Sequence, residues 1–257
     1  MSAREAGGTG GRPRMAGGHA ILLAGGQGRR LATEDGSAKA FVSILGRPLL
    51  SWSLETFAND PAIETIVVVH APGRTAHERC RTQILAPLGL EDRVLLADGG
   101  ERRQDSSRRG LEALPEEVRR DPESLVLIHD AARPLVTTFL IHRCLRELAE
   151  HPDAAGALPA LPVRETLKQV EGATIRGTVP REGLWAAQTP QVFRLGPLLQ
   201  AHEHAAKQGR GVTDDAALLE ASGAVLRVVP GDLENIKVTY PEDRVLVERL
   251  LRDRETR

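Results

Sequence analysis

Apolar runs of strand length punctuate the chain: AILLA (20–24), TIVVV (65–69), RVLLA (93–97), LVLIH (125–129), AAGALPAL (154–161) and AVLRVV (224–229). They are continuous rather than alternating, the pattern of strands covered on both faces. Helical spacing fills the intervals, in PLLSWSLETF, RTAHERCRTQIL, SSRRGLEAL, TFLIHRCLRELAE and TDDAALLEAS. Strand and helix in alternation predict βαβ units, and so an α/β domain on a mostly parallel, doubly wound sheet. A last helix is predicted over RVLVERLL, opened by a capping box of Thr239 and Glu242 with Pro241 in its first turn.

Residues 163–183, VRETLKQVEGATIRGTVPREG, break the rhythm. They are polar and β-branched, hold glycines and offer no helical face. A protruding two-stranded β-arm is predicted, and because an isolated ribbon is marginal in water, it should pack on something else. The opening 18 residues, MSAREAGGTGGRPRMAGG, lack the apolar core of a secretory signal and read as a disordered leader.

Composition narrows the function classes. At 257 residues the chain can bury a core without staples. A net charge of −1 gives no broad basic field and argues against a nucleic-acid partner. No apolar run approaches the ~20 residues of a membrane span. Cys80 and Cys144 lie far apart and match no zinc spacing, so a reduced, cytoplasmic setting is expected. Of the 34 basic residues, only Lys39, Lys168, Lys207 and Lys237 are lysines, which marks each as worth locating.

Open α/β sheets deliver ligands to loops at the carboxyl ends of their strands. In LLAGGQGRRL (22–31), Gly25, Gly26 and Gly28 let backbone N–H groups approach phosphate oxygens, and Arg29, Arg30 and Lys39 add charge. An ordinary strand-to-helix turn fits the same letters. Leu31 occupies the third glycine position of a dinucleotide fingerprint, and no Gly-Lys-Ser/Thr follows, so neither common phosphate loop is matched. DGGERRQDSS (98–107) can read a base edge or ribose from its glycines and a serine, or be a capped solvent turn. In HDAARP (129–134), Asp130 ends a strand where it can hold a divalent cation, and Arg133 can grip a phosphate; a buried salt bridge is the plainer reading. ENIKVT (234–239) brings Lys237 to a late strand, with Asn235 beside it. The 8 histidines form no ligand cluster, and His202 and His204 read as a solvated helix face.

Taken in order, LAGGQGRRL with Lys39, DGGERRQDSSRRGLEAL, VLIHDAARPLV, ALPVRETLK, GLWAAQTPQVF, TDDAALLE and ENIKVT resemble the 2-C-methyl-D-erythritol 4-phosphate cytidylyltransferases. The resemblance spans residues 19 to about 252, leaving 253–257 as a tail. Here the loop starts Leu-Ala-Gly-Gly rather than Ala-Ala-Gly, and Ala38 stands where the family carries proline.

The resemblance implies a single Rossmann-like three-layer nucleotidyltransferase domain that transfers CMP from CTP to 2-C-methyl-D-erythritol 4-phosphate, releasing pyrophosphate, in non-mevalonate isoprenoid biosynthesis. It implies Arg30, Lys39 and Lys237 as catalytic cations. Ala24, Gly25, Gly100, Glu101 and Ser106 fall on cytidine-binding positions, and Gly26 and Gly28 belong to the same phosphate loop. Asp130 would hold Mg²⁺, with Asn235 a weaker candidate. Arg133, Thr166, Arg181 and Thr189 would bind the acceptor, Thr166 and Arg181 from an arm that embraces a second subunit of a homodimer. A cytidylyltransferase for another polyol phosphate, such as ribitol 5-phosphate, is the closest alternative.

Overall fold

The protein was analysed as a computed structural model, which describes residues 17–26, 39–209 and 211–256. Among them, β1 (Gly18–Leu23) comes first, and a 3-10 turn at Lys39–Phe41 precedes the hairpin of β2 (Ser43–Ile44) and β3 (Arg47–Pro48). Next come α1 (Leu49–Ala58) and β4 (Ile63–His70). α2 (Arg74–Cys80) passes through a π turn into α3 (Ala86–Leu88), and β5 (Val94–Asp98), α4 (Arg103–Glu112) and α5 (Glu116–Arg120) follow. The chain continues through β6 (Leu125–Asp130), α6 (Thr138–Glu150) and β7 (Gly156–Pro162) to the ribbon of β8 (Leu167–Glu171) and β9 (Thr174–Val179). It closes with β10 (Trp185–Ala187), β11 (Gln191–Arg194), α7 (Leu195–Gln208), α8 (Ala216–Ala221), β12 (Leu226–Pro230) and α9 (Pro241–Glu255).

The sheet runs β7–β11–β6–β1–β4–β5. β10 and β11 lie end to end against one edge of β7, both antiparallel to it, and β12 pairs with β7 in parallel. The predicted apolar runs all fall in this sheet, with β1 parallel to both β4 and β6. Successive residues of one strand serve opposite faces, which explains why the runs are unbroken. Ala20, Leu22 and Val68 pack beneath α1 and α6 through Leu54, Phe57, Ile141 and Leu145. Ile21, Val67 and Ile128 pack on the other face against Leu111 of α4, Leu198 of α7 and Leu219 of α8. The three-layer α/β architecture expected from the sequence is therefore the one observed.

Three local expectations need correction. Helix α9 is capped by Asp243, whose Oδ2 accepts from the backbone N–H groups of Tyr240 (2.8 Å) and Thr239 (2.7 Å), so the box sits one residue later than Thr239–Glu242. Pro241 is the first residue of α9, which makes Tyr240 the cap and Asp243 the third helical position. His202 is 3% exposed on the sheet side of α7, with only His204 facing solvent. Strands β10 and β11, antiparallel in a mostly parallel sheet, lie where no element was predicted, and the helix read at His202 and His204 is α7, which runs from Leu195 to Gln208.

Residues 163–183 do form a two-stranded excursion. Among the described residues, its ladder from Leu167↔Val179 to Glu171↔Thr174 pairs with no other strand. Val163 N–H donates to Leu184 O at 3.0 Å, and Arg181 bonds the carbonyl of Arg164, closing the arm's base. Val170, Ile175, Leu184 and Trp185 are exposed on or beside it.

Candidate active site

The carboxyl ends of β1, β4, β5 and β6 open on one cleft of about 800 Å³. Two glycine loops form its floor by packing backbone to backbone on the end of β4. Gly99 N–H donates to His70 O at 2.7 Å, and a Cβ on Gly99 would stand 2.7 Å from that oxygen. A Cβ on Gly25 would meet the same carbonyl at 3.2 Å. Gly100 is packed on Asp105, where a Cβ would come within 2.3 Å of the aspartate Cβ. These glycines serve the close approach of loops to one another, whereas a side chain on Gly26 would meet nothing within 4 Å. Of the loop's two described glycines, Gly26 is the one with open space at the cleft.

Ser106 pins the second loop. Its Oγ accepts from Gly100 N–H at 3.0 Å and donates to Arg102 O at 3.2 Å. Ala24, Gly25, Gly26, Lys39, Gly100, Glu101, Ser106, Asp130 and Lys237 all line the cleft, so most of the predicted site is brought together. Gly28 and Arg30 lie outside the described residues.

Asp130 is the electrostatic centre. Its Oδ2 accepts from Lys237 Nζ at 2.6 Å and its Oδ1 from Arg103 Nε at 3.1 Å. Burial opposes its charge, but Arg103 and Lys237 overcome that and hold the carboxyl well below the usual carboxylate range. Arg103 also donates from NH1 to Asp215 Oδ2 at 2.6 Å. Asp215 is 1% exposed and takes further bonds from Ser107 Oγ (2.5 Å) and His202 Nε2 (3.2 Å). Its carboxyl is likewise held low: burial works against the charge, and His202, Arg103 and Ser107 outweigh it.

Behind Asp130 lies a second network. His129 Nε2 is 3.1 Å from Arg133 O, and since a carbonyl only accepts, that nitrogen carries the proton. Nδ1 then accepts from Thr189 Oγ1 at 3.1 Å, and Thr189 Oγ1 accepts from Asp130 N–H at 3.1 Å. Burial drives the His129 imidazole down to about 4, against the raising effect of Asp130, so the ring is neutral at pH 7. Arg133 donates from NH1 to Asn235 O at 2.6 Å, and Asn235 Nδ2 donates to Thr189 O at 2.9 Å.

The acceptor set is thus divided. Thr189 is 4% exposed with its hydroxyl engaged internally, and Arg133 stands beside the cleft rather than in its lining. Thr166 and Arg181 are exposed on the arm, outside the cleft lining. Asn235 is fully buried outside the cleft lining, its Nδ2 donating to Thr189 O and its Oδ1 without a partner among the described residues.

Arg103, Asp215 and His129 had been given no role from the sequence. One signal for Arg103 was available: Ser106, Ser107 and Gly110 share its face of α4, and so small a face implies close packing on the sheet. A Cβ on Gly110 would indeed come 2.4 Å from Ile21 Cγ2. A first-turn residue on that face must point at the strand ends.

Among the described residues no three His, Cys, Asp or Glu side chains gather into a metal cage. Mg²⁺ commonly takes one or two carboxylates together with substrate phosphates and waters. Asp130 alone fits an ion carried on phosphates, provided Lys237 yields its oxygen.

A doubly wound sheet with glycine loops, two lysines and a carboxylate at its strand ends defines a nucleotide-binding protein of the nucleotidyltransferase type. The model of the IspD family, 2-C-methyl-D-erythritol 4-phosphate cytidylyltransferase, matches residues 19–253, and the chain belongs to that family. It is 39% identical over 236 residues to the enzyme of that name from Geobacillus kaustophilus, covering 91% of this chain and 97% of the relative. A bifunctional IspD/IspF enzyme from Solidesulfovibrio magneticus is 46% identical over 230 residues, which cover 87% of this chain and 54% of that protein. Of solved structures, the cytidylyltransferase of the same name from Thermus thermophilus superposes with a TM-score of 0.72 at 33% identity, covering 91% of this chain and 98% of that one. The Francisella tularensis enzyme gives 0.76 at 27% identity, covering 91% and 99%. No helix among the described residues is long and apolar enough to cross a membrane.

Proposed function

We propose that this chain transfers CMP from CTP to 2-C-methyl-D-erythritol 4-phosphate, giving 4-diphosphocytidyl-2-C-methyl-D-erythritol and pyrophosphate for isoprenoid biosynthesis. The observation that carries the reading is the meeting of Lys39, Lys237, Asp130 and two glycine loops in one cleft of a chain from this family. A phosphate monoester carries nearly two negative charges at neutral pH, so its oxygen attacks the α-phosphorus of CTP without a general base. The difficulty is repulsion between anions, which positioning and fixed cations relieve.

Lys39 and Arg30 hold the triphosphate and the charge that develops on the α-phosphate. Lys237 adds to this from the segment after Asn235, leaving Asp130 as the phosphates arrive. Mg²⁺, when bound, neutralises phosphate charge, and Asp130 is the residue that would hold it. Arg133 serves the acceptor phosphate beside the cleft, and Thr189 fixes the backbone around it.

Thr166 and Arg181 complete the acceptor site of a second subunit through arm exchange in a homodimer. The exposed Val170, Ile175 and Trp185 support this, since they leave the arm's apolar surface uncovered in a single chain. Two free, buried cysteines accord with a reduced cytoplasmic setting.

Pyrophosphate release tests the reading, with each of four nucleoside triphosphates against methylerythritol phosphate and ribitol 5-phosphate. Turnover should require CTP and methylerythritol phosphate together. Equal or faster turnover with ribitol 5-phosphate, or with GTP, would overturn it.

A further inference from the structure

Asp130 has two oxygens in unlike surroundings. Oδ2 meets Lys237, whose side chain is 43% exposed and free to follow a ligand. Oδ1 meets Arg103, whose side chain is 24% exposed and tied at its other end to Asp215. Asp215 cannot yield: it is buried and held by Ser107 and His202 as well as by Arg103. One planar guanidinium therefore spans two carboxylates from different elements, at the end of β6 and the start of α8. This fork geometry is one that an ammonium cannot reproduce.

We infer that Arg103, anchored by Asp215, is a positioning residue of the transfer reaction: it fixes one oxygen of Asp130 so that the other faces the cleft and can exchange Lys237 for the incoming substrate complex. The inference rests on the proposed cytidylyl transfer. The charges are consistent with this exchange. Arg103 balances one of the two aspartates when Lys237 departs, so Asp130 keeps a fixed orientation instead of collapsing onto a single mobile cation. Without Arg103, Lys237 is the one cation among the described residues still hydrogen-bonded to Asp130, and its release to the phosphates becomes harder. Arg103 NH2 is buried with no partner among the described residues, so direct contact with the nucleotide is the competing role that the experiment must separate.

Steady-state kinetics of Arg103→Met, Arg103→Lys, Asp215→Asn and the Arg103→Met/Asp215→Asn pair provide the test, run well below each variant's unfolding midpoint. CTP affinity is read separately by calorimetry in EDTA, which requires no turnover. The inference predicts that kcat falls about 10–100-fold in each single variant, the loss typical of an outer partner that orients a functional group. CTP affinity should be unchanged, and the double variant should be no slower than Arg103→Met alone. Arg103→Lys should fail to recover kcat although it restores the charge.

A weakened CTP affinity with kcat retained would overturn the inference and make Arg103 a nucleotide contact. Lowered melting temperature with kcat intact in Asp215→Asn would reduce Asp215 to a folding role and equally overturn it. If wild-type protein shows no CTP-dependent turnover with methylerythritol phosphate, the proposed reaction has failed instead, and the two failures are distinguishable.

Discussion

His129 makes the stability of this protein depend on pH between about 4 and 6.5. The ring is fully buried between Phe57, Thr189 and the Arg133 carbonyl, and burial lowers it from 6.5 to about 4. The unfolded chain therefore takes up a proton near pH 6.5 that the folded chain refuses until about pH 4. The contribution is complete above pH 6.5 and drains away as pH falls towards 4. At ~1.4 kcal/mol per pH unit the whole effect is about 3 kcal/mol, of which about 2 kcal/mol is lost between pH 7 and pH 5.

Replacing His129 with Gln keeps a donor for the Arg133 carbonyl and an acceptor for Thr189 but removes the titration. At pH 7 the substitution should cost roughly 1–3 kcal/mol through imperfect hydrogen bonds and packing. Between pH 7 and pH 5, however, the variant should lose about 2 kcal/mol less than wild type. The assay is urea unfolding at both pH values in EDTA, so that no metal is involved. His19, which burial also lowers, contributes in both proteins and cancels in the comparison. Asp130 and Asp215, held low, lose their contribution only at more acid pH. Equal losses in the two proteins between pH 7 and pH 5 would refute the buried, neutral imidazole.

Three further outcomes follow from the geometry. Lys39→Ala and Lys237→Ala should each lower kcat on the order of 10²–10³-fold with a smaller effect on CTP binding, because their charge is most useful at the transition state; wild-type kcat with binding alone impaired would make them ground-state anchors. Mixing Arg181→Ala chains with Asp130→Ala chains should restore roughly half of the wild-type activity per heterodimer, since one composite site then collects neither defect; no recovery, with heterodimers demonstrated, would place Arg181 in its own subunit's site. Gly110→Ala should destabilise the protein by about 1–3 kcal/mol without altering KM, because the added methyl meets Ile21 Cγ2 at 2.4 Å in the layer beneath the cleft; an unchanged urea midpoint would contradict the tight helix-to-sheet contact.

The parallel strands were legible because burial on both faces demands unbroken apolar runs, as in Ile66 to Val69. Strand β11 was not, since only Gln191–Arg194 pair there and the preceding Gln-Thr-Pro reads as a turn. The start of helix α7 was obscured by Gly196 and Pro197 in its first turn, where both are tolerated because those backbone groups need no intrahelical partner. His202 misled because it stands two residues from the exposed His204, and only the spacing of Leu198, Ala201 and Ala205 tells which side is buried. In the site, the glycine loops, Lys39, Asp130 and Lys237 stood out from loop chemistry, whereas Ala24 and Glu101 came from the family resemblance. Arg103, Asp215 and His129 were missed because their importance comes from long-range pairs, such as Arg103 with Asp215 and Asp130, that no local spacing records.

The most direct measurement is a ³¹P spectrum of the complete reaction, with CTP, methylerythritol phosphate, Mg²⁺ and the enzyme. Cytidylyl transfer at this cleft predicts that the acceptor's monoester signal disappears. In its place a pair of mutually coupled diphosphate signals should arise, one phosphorus from each substrate, with pyrophosphate in equal amount. An unchanged monoester signal while CTP is consumed to CMP would contradict the assignment of the acceptor as nucleophile.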